Sequence, residues 1–294
     1  MVNNKKKNKH KLKKRKPDIE LKTVAYSVDD TSKVTLELPF IEDANLPYVS
    51  IITPTKNKGK LFRLAVHQFL NFNYPRDKLE WIILDNGTER VKKYLDFKDE
   101  SNLIYMTLDP TKRYPIGELR NVCIEKSSYD IIVYMDDDDY YPPESILSRV
   151  KSLLKYFHLG IECVGCQRCL SYNINDKSCF WYTNGKLNFL EASMCHTKRF
   201  WNKRKYKSDL YMECESFLKD RHNEIINIPF QFVMIIINHK GNYTNRGNNQ
   251  MDKLVNIDYK IGNVGDDEIM VKNNTFIDKI FSQEIKEIIY DTEL

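Results

Sequence analysis

Apolar and polar positions follow two rhythms along this chain. Val49-Ser50-Ile51-Ile52-Thr53 is a short β-branched run of the kind that forms a buried strand. Pro54 to Gly59 breaks it. Leu61, Ala65 and Phe69, with Phe62, Val66 and Leu70, then repeat at the i, i+4 interval of an amphipathic helix, which Tyr74-Pro75 ends. Trp81-Ile82-Ile83-Leu84 predicts a second strand, halted by Asp85-Asn86-Gly87-Thr88, and Leu103-Ile104-Tyr105-Met106 predicts a third. A helix over 117–126 leads into the apolar run Ile131 to Met135. Four aspartates follow, Asp136 to Asp139, and then a helix opened by Pro142-Pro143. Ile146, Leu147, Val150, Leu153, Leu154 and Phe157 form its stripe, and Gly160 marks its exit.

Strand alternating with helix predicts an α/β fold with a mostly parallel central sheet and helices on both faces. In such sheets ligands bind outside the carboxyl ends of the strands. Three polar clusters fall there: Thr53 to Asn57, Asp85 to Thr88 and Asp136 to Asp139. Beyond residue 160 the rhythm changes. Strand-like pieces at 161–170, 178–183 and 190–197, a helix near 210–219 and one long apolar strand over 226–238 predict a smaller mixed or antiparallel portion. Residues 276–290 read as a last packing helix. Upstream, Val34 to Leu38 reads as a short strand in an extension over 19–46. The chain thus divides into a basic tail (1–18), that extension, and one domain over 47–294. Within the domain, 47–150 is one half, 151–250 the other, and 251–294 a C-terminal extension.

Composition sharpens this picture. Of 294 residues 41% are hydrophobic, enough for one sizeable core. The net charge of +5 comes from residues 1–16, which hold nine Lys or Arg and no acid; without them the chain is slightly acidic. The folded part therefore has no general basic bias, and nucleic acid is expected as a partner only through the tail. The tail lacks the apolar core of a signal peptide. The longest apolar run, Phe232 to Ile237, is far short of the roughly 20 residues of a membrane-spanning helix. Seven cysteines, an odd number, suit a reducing compartment, and a cytoplasmic location is expected. Cys163, Cys166 and Cys169 alternate between the faces of a strand, so they are read as small buried side chains and not as a metal cluster.

The acidic run carries the chemistry. Four adjacent carboxylates repel one another and must be relieved by solvent or by a hard divalent cation, which prefers carboxylate oxygens. Its setting decides the matter. PYVSIITPTKN, WIILDNGTE, IGELRN and IIVYMDDDDYYPPESI, in that order, resemble the nucleotide-sugar half of a family 2 glycosyltransferase of the GT-A (Rossmann-like) fold. The resemblance is strong over residues 47–150 and weaker over 190–246.

The resemblance implies a nucleotide-sugar donor and a Mn2+ or Mg2+ ion. Asp136-x-Asp138 matches the family's D-x-D element, so Asp136 and Asp138 are the expected metal ligands. His239, which begins a late His-x-x-Asn segment, is expected to join them. Thr53, Pro54, Thr55 and Asn57 match the first nucleotide loop, and Asp85 and Asn86 the second. Arg120 matches an Arg-Asn pair that contacts the diphosphate, and Asp136 and Asp137 complete the expected donor contacts. Asp139 is placed facing the donor sugar or capping the turn. This sequence has Lys56 where many members have a base-stacking aromatic, and Asn86 where the family has a second aspartate. A carboxamide both accepts and donates, so UDP-sugar is the first expectation, with guanosine and thymidine donors open. An inverting transferase needs a base for the acceptor hydroxyl, and Glu213, with Glu215 second, occupies the matching helix. Trp181, Trp201 and Tyr206 lie where acceptors approach; they either stack on sugar or belong to the core. A glycan or glycoprotein acceptor is implied, and homo-oligomerisation is left open. The alternatives are a retaining transferase or nucleotidyltransferase on a similar sheet, or a non-catalytic module that binds nucleotides or polyanions with its basic arm.

Overall fold

The computed structural model describes residues 20–27, 32–96, 102–183, 189–208, 213–239 and 275–291; the basic tail lies outside them. The strands are β1 (Glu20–Tyr26), β2 (Lys33–Pro39), β3 (Val49–Thr55), β4 (Leu79–Asp85), β5 (Leu103–Thr107), β6 (Ile131–Tyr134), β7 (Cys163–Gly165), β8 (Arg168–Asn173), β9 (Cys179–Thr183), β10 (Cys195–Thr197), β11 (Ile225–Asn227) and β12 (Ile236–Asn238). The helices are α1 (Phe62–Asn71), α2 (Ile116–Lys126), α3 (Ser145–Tyr156), α4 (Lys198–Lys203), α5 (Glu213–Leu218), α6 (Thr275–Ile280) and α7 (Gln283–Tyr290).

Seven strands form the central sheet in the order β11-β7-β10-β6-β3-β4-β5. β6, β3, β4 and β5 are parallel to one another, and β10 alone runs against its neighbours. The sheet is thus mostly parallel, as the alternation predicts. Every residue of β3, β4 and β6 is buried, which is why these strands read as unbroken apolar runs. α1 and α3 cover one face and α2 with α5 the other, giving two apolar clusters on either side of the sheet. Trp81, fully buried on β4, stacks on Phe62 at 5.9 Å between ring centroids and tilts against Phe69 at 4.5 Å. That ring pair locks α1 over the β3–β4 seam.

A second sheet, β12-β8-β9, pairs β8 with β9 antiparallel and with β12 parallel. β1 and β2 form an antiparallel hairpin in register from Glu20–Pro39 to Tyr26–Lys33; only its second strand is legible as an apolar run. α6 and α7 place Phe276, Ile277, Phe281, Ile285 and Ile289 in the main cluster, so the C-terminal segment belongs to the core.

Several expected elements divide. The strand expected over 161–170 breaks at Cys166-Gln167, and its halves, β7 and β8, join different sheets. The long strand over 226–238 becomes β11 and β12, separated by Pro229 and a 3-10 turn at Phe230–Phe232. The piece at 190–197 begins with a 3-10 turn, leaving only β10 as strand. The helix over 276–290 is cut at Phe281-Ser282, where the Ser282 hydroxyl caps α7 by accepting from Ile285 N. Of the helix near 210–219, α5 is described and residues 209–212 lie outside the described residues. All seven cysteines are buried thiols outside any disulfide, with Cys163 in one cluster and Cys166 and Cys169 in the other.

His196 on β10 is fully buried in the second cluster. Its Nδ1 meets Thr197 O at 2.8 Å and therefore carries the proton, so Nε2 accepts from Tyr134 Oη at 2.8 Å; Tyr206 Oη lies 3.0 Å from the same hydroxyl. Burial lowers the His196 pKa from 6.5 to about 4, with the nearby Arg221 adding to the effect against the pull of its Thr197 bond. The unfolded chain takes this proton below pH 6.5 while the native state refuses it until about pH 4, so the contribution is lost as pH falls through that window. The expected loss is about 3 kcal/mol. Chemical denaturation at pH 7 and pH 4.5 measures it. The slope should be shallower in His196→Gln, and the difference between the two slopes isolates this residue from every other titrating group.

Candidate active site

The sheet order sets β6, β3 and β4 side by side, and the register pairs Ile52 with Tyr134 and Thr55 with Asp85. The three polar clusters therefore emerge at adjacent strand ends. Met135 N donates to Ile52 O at 3.1 Å and Asn86 N to Thr55 O at 3.1 Å, so the ladder continues into the loops.

The first cluster begins later than expected. Thr53 and Pro54 lie inside β3, and the fully buried Thr53 hydroxyl donates to Met135 O at 2.7 Å while accepting from Trp81 Nε1 at 2.8 Å. Thr53 is a bolt beneath the acidic run and not part of an open loop. Asn57, at φ 53°, turns the loop, and its Oδ1 accepts from Glu89 N at 3.0 Å and Thr88 Oγ1 at 3.2 Å. A Cβ on Gly87 would stand 2.5 Å from that same oxygen, which is why glycine is required where the two loops touch. Asp85 is completely buried and folds its own loop. Its carboxylate accepts from Gly87 N, Val91 N and Tyr105 Oη at 2.9, 2.9 and 2.6 Å, with Arg90 Nη1 at 3.5 Å. Asn86, next to it, is 3% exposed, and its Oδ1 has no hydrogen-bond partner among the described residues.

The acidic run is held from four sides. Gln68 of α1 donates from Nε2 to Asp139 O at 3.1 Å and accepts from Tyr141 N. Tyr141 Oη accepts from Asp136 N at 2.9 Å and donates to Ala192 O at 3.1 Å. Asp139 Oδ1 accepts from Ile237 N at 3.1 Å, and Tyr140 bridges Ile235 antiparallel. Asp139 thus caps the turn and ties the run to β12. Beneath it lies Arg149 of α3, fully buried. It donates to Tyr134 O at 2.8 Å, Met194 O at 3.3 Å, Ser145 O at 3.2 Å and Ser145 Oγ at 3.0 Å.

The tie to β12 delivers His239 to the acidic run, its Nε2 3.1 Å from Asp138 Oδ2. The same oxygen accepts from Lys58 Nζ, which also stands 3.5 Å from Asp137 Oδ1. Burial opposes the charge on Lys58, but Asp137 and Asp138 outweigh it and raise its pKa. Burial likewise opposes the Asp138 carboxylate, yet Lys58 and His239 hold it well below the usual carboxylate range. Asp137 is pushed up, because its burial outweighs the help from Lys58. Its Oδ2 and the Thr55 hydroxyl are buried; the hydroxyl approaches Asp137 without the geometry of a hydrogen bond. Arg120 of α2, 3% exposed, reaches Asp136 Oδ1 at 3.5 Å with its guanidinium 5.5 Å over the Tyr134 ring. It is a buried group aimed at the run and not a helix-surface pair.

For a divalent cation the donor chemistry fits in part. Asp138 offers a carboxylate, His239 an imidazole, and Asp137 Oδ2 is a buried acceptor without a partner among the described residues. The set is not assembled: among the described residues no three His, Cys, Asp or Glu stand together to hold a metal, and Asp136 faces Arg120.

The glycosyl transferase family 2 model matches residues 50–223, more than half of the chain. The chain belongs to this family. Among curated relatives it is 28% identical over 116 residues to an uncharacterized glycosyltransferase of Haemophilus influenzae, and 26% identical over 124 residues to the glycosyltransferase AglE of Haloferax volcanii. These matches take in 38% and 42% of this chain and 44% and 40% of those proteins, so the chain spans less than half of their length. Two solved structures share its GT-A fold. One is the mannosyltransferase PcManGT of Pyrobaculum calidifontis in complex with GDP-Man and Mn2+ (TM-score 0.52, 16% identity, 69% of this chain and 60% of that one). The other is S. aureus TarS 1-349 in complex with UDP (TM-score 0.51, 15% identity, 65% and 60%).

The remaining expected residues of this family 2 chain fall unevenly. Glu213 opens α5, but its side chain lies outside the described residues; Glu215 is exposed on the same helix, while Cys214, Phe217 and Leu218 face the core. Trp201 and Tyr206 are buried and both bonded to Asn121, so they are packing residues. Trp181 is half-buried, edge-on to Phe230 with Arg168 at 3.9 Å over its ring. Residues 240–246, which carry the rest of the His239 segment, lie outside the described residues. Sequence reasoning missed Lys58, Gln68, Tyr141 and Arg149. Lys58 had a signal, since it sits in the loop after the first strand. Arg149 had a weaker one, a charge beside the apolar stripe of a helix.

Proposed function

We propose that the chain transfers a sugar, with inversion, from a nucleoside diphosphate sugar to a hydroxyl of a glycan or glycoprotein, using Mn2+ or Mg2+. The observation that carries this reading is one juxtaposition. Asp136 to Asp138, Arg120 and Lys58 converge where three adjacent parallel strands end, and the loop after the neighbouring strand holds the buried Asn86 Oδ1, which has no hydrogen-bond partner among the described residues. Asn86 would read the base edge, and Thr55 and Asn57 would shape the loop that meets it. Asp85 acts by folding that loop. Arg120 offers a guanidinium to the diphosphate. Asp138 and His239 would hold the cation, with Asp136 and Asp137 beside them, and when bound it would neutralise the charge that grows on the departing diphosphate. Glu213, or Glu215 two residues further on, takes the acceptor's proton as its oxygen attacks the anomeric carbon. Among the described residues no helix is long and apolar enough to cross a membrane, and seven buried thiols outside any disulfide suit a reducing compartment such as the cytoplasm.

The test is donor turnover by the full chain in Mn2+ across UDP-, GDP- and dTDP-sugars. Release of UDP should be fastest, and no release from any donor would overturn the reading.

A further inference from the structure

Lys58 is the feature that the proposed reading does not absorb. Its ammonium sits where a cation on Asp138 would sit. It bonds the same Oδ2 that meets His239 and stands 3.5 Å from Asp137 Oδ1, with only 13% of its side chain exposed. His239 can keep a neutral imidazole beside a bound metal, because Nε2 is a metal donor. An ammonium has no lone pair to share, and it repels a dication drawn to the same oxygen. The two cations therefore exclude each other at Asp138.

The fold also gives Lys58 somewhere to go. It hangs on a four-carbon stem from a loop whose neighbours Lys56 and Asn57 are exposed. The segment on either side is anchored independently of it, by β3 before and by Lys60 and Arg63 on Asp291 after, at 3.2 and 3.0 Å. The side chain can leave the carboxylates without moving a strand or a helix.

We propose that Lys58 is an exchangeable counter-cation: it neutralises Asp137 and Asp138 when no metal is bound, and a divalent cation takes Asp138 only by displacing it. In the free protein this holds metal affinity down. A ligand with phosphate oxygens offers the displaced ammonium a new partner, so metal and diphosphate bind more tightly together than apart. That last step rests on the nucleotide-sugar reading; the exchange itself does not.

The experiment is a titration of the full chain with Mn2+ alone, free Mn2+ being counted by electron paramagnetic resonance. Lys58→Met should bind Mn2+ at least tenfold more tightly than wild type, and Mn2+ should raise its thermal midpoint more than it raises that of wild type. Equal or weaker binding, or no binding by either protein at millimolar Mn2+, would overturn the exchange. Because Lys58→Met leaves two buried carboxylates without their cation and can fail to fold, Lys58→Arg is measured alongside. It keeps the charge with a forked head that grips a carboxylate at two points, so its Mn2+ affinity should equal or fall below wild type, and tighter binding would count against the proposal. Donor turnover separates the two ideas. A chain that turns over no donor but shows the Lys58-dependent affinity refutes the transferase alone. One that turns over donors with the same Mn2+ affinity in Lys58→Met refutes the exchange alone.

Discussion

Replacing Asp138 with alanine should lower nucleotide-sugar turnover by about a thousandfold or more, the scale seen when a charge-stabilising group is removed from a transition state. Three observations make Asp138 the sensitive member of the run. It meets both Lys58 and His239. It is buried, so nearby charges act on it with little screening. It also lies at the end of β6, beside the other two loops. Asp138→Asn keeps the shape and loses the charge, so it should fall nearly as far; full activity in the asparagine variant would show that shape alone matters. Asp139→Asn provides the contrast. Asp139 spends its carboxylate on Ile237 N, and an amide oxygen can accept that bond, so turnover should fall far less.

Arg149→Met should cost about 3–5 kcal/mol of stability, read as a drop in the denaturant midpoint. Methionine fills much of the same volume, so little of this is a cavity. The loss comes chiefly from the Tyr134 carbonyl, which is left without its Arg149 donor inside the core, while Met194 O keeps its 3.0 Å bond from Tyr134 N. Arg149→Lys should recover only part of it, because an ammonium cannot reach acceptors spread across a planar fork. The arginine also joins α3, the end of β6 and the turn before β10, so the variant should lose nucleotide affinity before it unfolds. A loss below 1 kcal/mol would mean that the bonds around Arg149 are replaceable by water.

How much of this is legible in the sequence differs from place to place. β3, β4 and β6 are plain because both faces are buried and the runs are unbroken. The carboxyl-end clustering follows from their alternation with helices, and it puts Asp136 to Asp139 in the right place before any coordinate is known. The second half is harder. Residues 226–238 read as one strand because apolarity does not report which sheet a segment joins, and Pro229 divides it between two. Cys163 to Leu170 alternates well, yet it changes sheet at Cys166-Gln167 for the same reason. Thr53 and Asp85 look like ligand contacts because they are polar residues at strand ends; both turn out to spend their oxygens on their neighbours. Lys58 is the opposite case. It lies 80 residues from Asp138, and only the packing of loop against loop brings them together.

The central claim is that a nucleoside diphosphate and a divalent cation bind together at the ends of β3, β4 and β6. Thermal melting of the full chain with UDP, with Mn2+, and with both tests it most directly. A gain in midpoint with both ligands that exceeds the sum of the separate gains, and that disappears in Asp138→Ala, is the predicted result. No gain with the two together, or an equal gain in Asp138→Ala, would contradict it.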